Sequence, residues 1–423
     1  MAFEVLPVAS LHGVAKTPGD KSISHRALMI SALADGDSTL EGLSRGHDVL
    51  GTAAALRSLG IEIEDDATVI VHGGADRMVE PISNLDCGNS GTTIRLMLGL
   101  LAGRGIHATL VGDASLSGRP MDRVKVPLEL MGALVEGQGP RCQPPVSVSR
   151  TDPLVGIDYT LPVASAQVKS AILFAGLFAS SETIVREHSA TRVHTEEMFT
   201  EAGIAVSVSK DEAITTTLQP GLPHARTWHI PGDPSQAAFF VVAGLLGADA
   251  SVTISNLYAG PGRSGFLDVL MRMGASIQRE ISGQTMNVTA SSSELLGTEI
   301  LATEIPSLDE VPILSVAAAA AQGTTIFRDV GELRVKESDR YAQSAALARS
   351  LGATVSEQGD DLVIEGLGTA RRFRQISLDP YGDHRMAMSA AIAGVVGAGA
   401  TISDISCVET SFPGFFDQLG GLA

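Results

Sequence analysis

The sequence predicts an α/β (α+β) protein of two similar domains, each built from three units of mixed strands and helices. Length is the first reason: at 423 residues the chain exceeds the size at which a single core stops growing, so two domains are expected. The second is a period. A segment of helical pattern ending in Gly and followed by a short β-rich run recurs at Gly60, Gly132, Gly203, Gly274, Gly352 and Gly420, with successive spacings of 72, 71, 71, 78 and 68. Each glycine suits the C′ position of a helix, where φ > 0 is needed. The third is an offset. Pro18-Gly19-Asp20 with Ser22 returns as Pro231-Gly232-Asp233 with Ser235, and Ser38 returns as Ser251, both 213 residues on, or three periods of 71.

A unit of that length rarely buries its own core and must pack on its neighbours. The expected domains are residues 14–230 and, discontinuously, 1–13 plus 231–423. The stretch EVLPVASLHG lies ahead of the first Pro/Gly turn, so it is expected to pair with the second half and make the chain cross twice. Both crossings could act as hinges.

Composition is that of a soluble globular chain, 44% hydrophobic, 18% charged and 4% aromatic. A formal charge of -18 argues against nucleic acid or an anionic membrane as partner, so any anionic ligand must be held by local basic clusters. Cys87, Cys142 and Cys407 have no metal-binding spacing and read as reduced thiols. The start MAFEVLPVAS lacks the pattern of a signal peptide, and the apolar runs Ala237 to Ala248 and Ile313 to Ala321 are too short for a bilayer. A cytoplasmic protein, without metal, is expected.

Along the chain, ligand-friendly groups fall at helix starts. In Thr17 to Arg26, TPGDKSISHR, Pro18 and Gly19 form a turn, Asp20 is a plausible cap, and a helix starts near Lys21. Ser22, His25 and Arg26 then share a face, and with Lys21 they put three basic groups at a helix N-terminus. Solvated charges on a capped helix would read the same, but a basic first turn opposes the helix dipole unless an anion is present. The second copy, GDPSQAAFF, has lost Lys21, His25 and Arg26, which separates chemistry from scaffold.

Asp86 to Arg95, DCGNSGTTIR, is a small-residue loop entering an apolar helix, suited to close backbone approach though not in P-loop order. Arg119, Arg123 and Lys125 surround a turn, and Ser165, Gln167 and Lys169 precede an apolar run. In RVKESDR, Lys336 and Arg340 stand at i and i+4 of an expected helix with Glu337 beside Lys336. His384 and Arg385 open another helix, and Asp309 and Glu310 precede a third. Each has a bland reading as a cap, an ion pair or a solvated loop. Their shared placement is what suggests a basic, multi-pronged cleft.

GDKSISHR, DCGNSGTTIR, RPMDR, ASAQVKS, RVKESDR and DHRMAMS together resemble the motifs of the 5-enolpyruvylshikimate-3-phosphate synthase family, in that family's order and over nearly the whole chain. The resemblance implies two domains of three βαββαβ-type units closing over a central cleft, and transfer of the enolpyruvyl group of phosphoenolpyruvate to the 5-hydroxyl of shikimate 3-phosphate. It implies no cofactor, and a monomer is expected. It also implies that Ser22, Arg26, Ser165, Ala166, Gln167, Arg192, Asp309 and Lys336 hold shikimate 3-phosphate. Lys21, Asn89, Gly91, Thr92, Arg119, Gln167, Arg340, His384 and Arg385 would hold phosphoenolpyruvate. Asp309 is the implied base, Glu337 the implied acid, and Lys21 an aid to proton traffic.

One departure stands out: where many members carry Lys near the C-terminus, CVETSFPGF has Thr410, so that cation is missing or is replaced by Lys125 or His384. Gly91, where glyphosate-insensitive members tend to carry Ala, implies sensitivity to glyphosate. Two alternatives remain. UDP-N-acetylglucosamine enolpyruvyl transferases share fold and donor, but their loop cysteine has no counterpart in SLSGRP. A non-catalytic repeat scaffold explains the period and leaves the asymmetry between halves unexplained.

Overall fold

The 71-residue period is one small sheet with its crossover helices. In the second repeat, strand Leu85–Asp86 leads through helix Gly91–Arg104 to strand Ala108–Val111, and helix Asp122–Met131 leads to the hairpin Leu134–Gln138 and Gln143–Ser149. The first two strands are parallel, which requires a crossover, and the helix supplies it. Strand Gln143–Ser149 then pairs antiparallel with Ala108–Val111, leaving Leu134–Gln138 at the edge. The third and fifth repeats have the same strand order, around helices Ala166–Gly176 and Val311–Ala320. The computed structural model describes residues 2–66 and 68–423.

The first and fourth repeats exchange strands. Leu11–Ala15, ahead of helix Lys21–Leu33, pairs parallel with Ala250–Tyr258 of the fourth repeat. Thr227–His229, ahead of helix Pro234–Leu246, pairs parallel with Asp37–Glu41 of the first. This exchange is why the chain crosses twice. It divides into one unit comprising the segment up to Asp20 with Pro231–Ala423, and another of Lys21–Ile230.

The break between these units falls at Asp20/Lys21, where the expectation was residue 14. Pairing continues beyond the exchanged strand: Gly19 bridges Gly232, the Asp20 N–H donates to the Pro231 carbonyl at 2.7 Å, and the Asp233 N–H donates to the Pro18 carbonyl at 3.0 Å. In the sixth repeat, Ile376–Leu378 and Ala400–Ile402 are parallel, and Phe3–Val5 pairs antiparallel with the latter.

Five of the six period glycines have positive φ, from 84° at Gly203 to 109° at Gly352. Gly420 departs from the expectation. It is the last residue of helix Phe415–Gly420, and the edge that a following strand would fill is taken by Phe3–Val5.

Helices Pro234–Leu246, Val311–Ala320 and His384–Val396 are buried at almost every position, which accounts for their unbroken apolar runs. In the other unit, a Cβ on Gly99 would lie 2.1 Å from the Ala171 carbonyl oxygen, so this glycine lets helices Gly91–Arg104 and Ala166–Gly176 touch backbone to backbone. Among the described residues no helix is long and apolar enough to cross a membrane.

Candidate active site

Each unit gathers its polar side chains at helix starts. In Lys21–Ile230, Lys21 is the first residue of its helix, and its Nζ lies 2.9 Å from Asp48 Oδ2. Ser22 Oγ accepts from Arg192 at 2.9 Å. Ser90 and Ser165 cap the next two repeat helices, their hydroxyls accepting from the Thr93 and Val168 N–H groups. Ala166 is the first residue of its helix, and its carbonyl accepts from Ser170 Oγ at 2.6 Å.

Gln167 is fixed from both sides: its oxygen accepts from Arg95 at 2.7 Å, and its nitrogen donates to Thr92 Oγ1 at 2.9 Å. Asn89 accepts from Arg119 at 2.6 Å and donates to Asp113 at 2.6 Å. Gly91 sits among these groups, since a Cβ there would lie 2.8 Å from one Arg95 nitrogen and 3.2 Å from one of Arg119. Asn89, Gly91, Thr92, Arg119 and Gln167 thus form one connected cluster.

Arg26 is buried, and its guanidinium donates to Thr195 Oγ1 at 2.7 Å, to Ser170 Oγ at 2.6 Å and to the Ser22 carbonyl at 2.9 Å. Two sequence readings change here. His25 is fully buried beside Thr52, 2.7 Å from its hydroxyl. Burial, with the charges of Lys21 and Arg26 added, pushes its pKa well below the usual imidazole range, so it is neutral and not a third cation. Lys169 is buried in an ion cluster with Glu187 and Glu196. Lys125 binds Glu129 and the Val135 carbonyl.

The other unit centres on Arg340, the first residue of helix Arg340–Leu351 and almost wholly buried. Its Nε donates to Asp383 at 2.7 Å, and its terminal nitrogens lie 3.2 Å from Asp309 Oδ1 and 2.8 Å from Glu337 Oε2. Burial opposes the Arg340 charge, but Asp383, Glu337 and Asp309 outweigh it and raise the pKa above the ordinary guanidinium value. Burial likewise opposes ionisation of Asp383, yet Arg340 and His384 hold its carboxyl below the usual range.

Arg385 donates to the Asp309 carbonyl at 3.0 Å and approaches its carboxylate at 3.8 Å. Lys336 Nζ donates to the Ser307 carbonyl at 3.2 Å. Thr410 Oγ1 lies 3.3 Å from His384 Nδ1, which puts His384, one of the two replacements considered for the missing lysine, beside that position. Lys336 and Glu337 are not helical, contrary to the expectation. Asp339 caps the helix by accepting from the Ala342 N–H at 2.9 Å, and the helix begins only at Arg340.

Several residues of these clusters escaped the sequence reading. Arg95 closes the DCGNSGTTIR motif, at i+4 from Gly91, and its register was the signal available. Asp383 stands just before His384, where an N-cap carboxylate is common, and it does accept from the Arg385 N–H at 2.9 Å. Asp48 and Thr195 carry no local signal.

The family model for EPSP synthase (3-phosphoshikimate 1-carboxyvinyltransferase) matches residues 5–419. A 3-phosphoshikimate 1-carboxyvinyltransferase of Pelobacter propionicus is 44% identical over 99% of this chain and 98% of its own. One from Desulforudis audaxviator is 45% identical over 100% and 99%. Among solved structures, EPSP synthase from Acinetobacter baumannii superposes with a TM-score of 0.86 at 37% identity, covering 100% of this chain and 98% of that one. The enolpyruvyl transferase NikO from Streptomyces tendae shares the fold, with a TM-score of 0.79 at 18% identity over 99% and 96% of the two chains.

Proposed function

The chain belongs to the EPSP synthase (3-phosphoshikimate 1-carboxyvinyltransferase) family, and from that premise we propose how its own residues divide the reaction. The enzyme transfers the enolpyruvyl group of phosphoenolpyruvate to the 5-hydroxyl of shikimate 3-phosphate and releases phosphate. In our reading the 5-hydroxyl oxygen attacks C2 of phosphoenolpyruvate while Asp309 takes its proton and Glu337 gives one to the C3 methylene. The tetrahedral adduct then loses a proton from C3 as the C2–O bond to phosphate breaks. No metal or organic cofactor is needed, because the leaving phosphate is already activated in the enol ester.

Ser22, Arg26, Ser165, Ala166, Gln167, Arg192 and Lys336 hold shikimate 3-phosphate, together with Asp309. Lys21, Asn89, Gly91, Thr92, Arg119, Gln167, Arg340, His384 and Arg385 hold phosphoenolpyruvate, with Lys21 also assisting proton traffic. The protein works as a cytoplasmic monomer and is sensitive to glyphosate.

One observation carries the acid/base reading: both carboxylates, Asp309 and Glu337, are held by the single buried guanidinium of Arg340, at 3.2 and 2.8 Å. Phosphoenolpyruvate, as an anion, competes with Glu337 for Arg340, which ties the freeing of the acid to arrival of the donor. Phosphate release with both substrates, and with each alone, tests the reading. Asp309→Ala and Glu337→Ala are expected to fold and bind shikimate 3-phosphate but to lose about 10²- to 10⁴-fold in kcat. An unchanged kcat in both would overturn the assignment.

A further inference from the structure

The helix that opens with Ala166 and Gln167 carries, one turn on, a lysine without access to solvent. Lys169 is 1% exposed, and its Nζ lies 2.6 Å from Glu187 Oε2 and 2.6 Å from Glu196 Oε1, both buried as well. A lysine so enclosed does not touch a ligand. Nor is a buried ion triad an efficient source of stability, since apolar side chains of similar volume often serve as well or better. Its use lies in what the two carboxylates are attached to.

Glu187 ends strand Thr183–Glu187, and its other oxygen accepts from the Thr191 hydroxyl. Thr191 directly precedes Arg192, which reaches Ser22 Oγ at 2.9 Å. Glu196 lies in the first turn of helix His194–Glu201 and also receives Thr216 Oγ1 at 3.4 Å. Residues 188–193, between that strand and that helix, have no regular structure, and 188–190 are exposed. The loop bearing Arg192 is thus pinned on both flanks to one ammonium on the helix of Gln167. The next residue reinforces the link, because Ser170 Oγ receives Arg26 and lies 2.7 Å from Thr195 Oγ1.

We propose that Lys169 is a positioning residue for shikimate 3-phosphate: through Glu187, Thr191 and Glu196 it sets the distance between Arg192 and the helix start at Ser165 and Gln167. The inference rests on the reading of Arg192, Ser165 and Gln167 as ligands of that substrate. Hydrogen bonds to ionised groups are short and directional, and a loop ordered beforehand spares the entropy of ordering it at binding.

Thr191→Val removes the hydroxyl at constant volume and leaves the ion triad intact, so the fold is retained. It is expected to raise KM for shikimate 3-phosphate about tenfold, the worth of one charge-assisted hydrogen bond. In the same variant kcat and KM for phosphoenolpyruvate stay within about twofold, and Thr191→Ser restores the original KM. Lys169→Met shifts the same KM further, with thermal unfolding measured alongside to separate any loss of folded protein. Arg192→Ala is the control. If it raises KM for shikimate 3-phosphate while Thr191→Val does not, or if Thr191→Val raises both KM values alike, the positioning role is overturned. If Arg192→Ala leaves that KM unchanged, the reading of Arg192 as a ligand falls, and this inference with it.

Discussion

Helix Lys21–Leu33 and helix Pro234–Leu246 are two versions of one design, both 13 residues long and both following a Pro-Gly-Asp turn. The turns pair with each other, and Arg263 spans both their carboxylates, at 2.7 Å from Asp20 and 2.5 Å from Asp233. Beyond the turns the helices part. Ser22 accepts from the cation Arg192, whereas Ser235 donates to the anion Glu310. Arg26 knits together Thr195, Ser170 and Ser22, whereas Phe239, 213 residues on, packs edge-on to Phe415 with ring centroids 6.1 Å apart. The same backbone position thus carries a polar network in one unit and apolar core in the other. Function resides in side chains laid on a scaffold that does not require them. The unit that gave up charge at this helix recovers it at its other helix starts, through Arg340 and Arg385.

The largest effect is expected where the copies are still alike. Arg263 is buried; burial works against its charge, but Asp20 and Asp233, with Glu310 and Asp309, hold it protonated. Arg263→Met would leave two buried carboxylates facing each other and is expected to cost about 3–5 kcal/mol in urea unfolding. A loss within experimental scatter would mean that the paired turns do not depend on this arginine. The next effect tests where they differ. Arg26→Met is expected to lower kcat/KM by about 10²- to 10³-fold. At the matching position, Phe239→Leu is expected to cost about 1–2 kcal/mol of stability and leave kcat/KM unchanged. Equal loss of activity in both would erase the distinction between scaffold and chemistry.

The period, its glycines and the helix starts were legible because each is a local pattern: a C′ glycine, a cap, an apolar run. Gly420 failed because the partner strand comes from the other end of the chain, which no local window shows. Residue type also announced charge without announcing burial. His25, Lys169 and Arg340 all read as cations offered to a ligand, yet His25 is a neutral core residue and Lys169 a buried anchor. Counter-charges were the hardest to see. Asp383 lies 43 residues from Arg340, and Asp48 lies 27 from Lys21. Lys336 was placed on a helix by its i, i+4 spacing to Arg340, but the Asp339 cap decided where that helix begins.

His25 supplies the smallest test and the sharpest. Its counterpart 213 residues on is Ala238, so only the first copy carries a titratable group there. The ring has Thr52 at Nδ1, while Nε2 is buried with no hydrogen-bond partner among the described residues, so a proton there would be poorly compensated. With the folded pKa lowered, the unfolded chain takes up a proton that the folded one refuses. The stabilisation is therefore fully present above the unfolded value of about 6.5 and is lost as pH falls below it, by up to about 1.4 kcal/mol per pH unit. Urea unfolding at pH 7.5 and 5.5 measures this, and His25→Gln is expected to flatten the slope by about 1 kcal/mol over that range. An unchanged slope would mean that His25 is charged in the folded protein. It would then rejoin Lys21 and Arg26 as a cation at the helix start, and the sequence reading of three basic groups would stand.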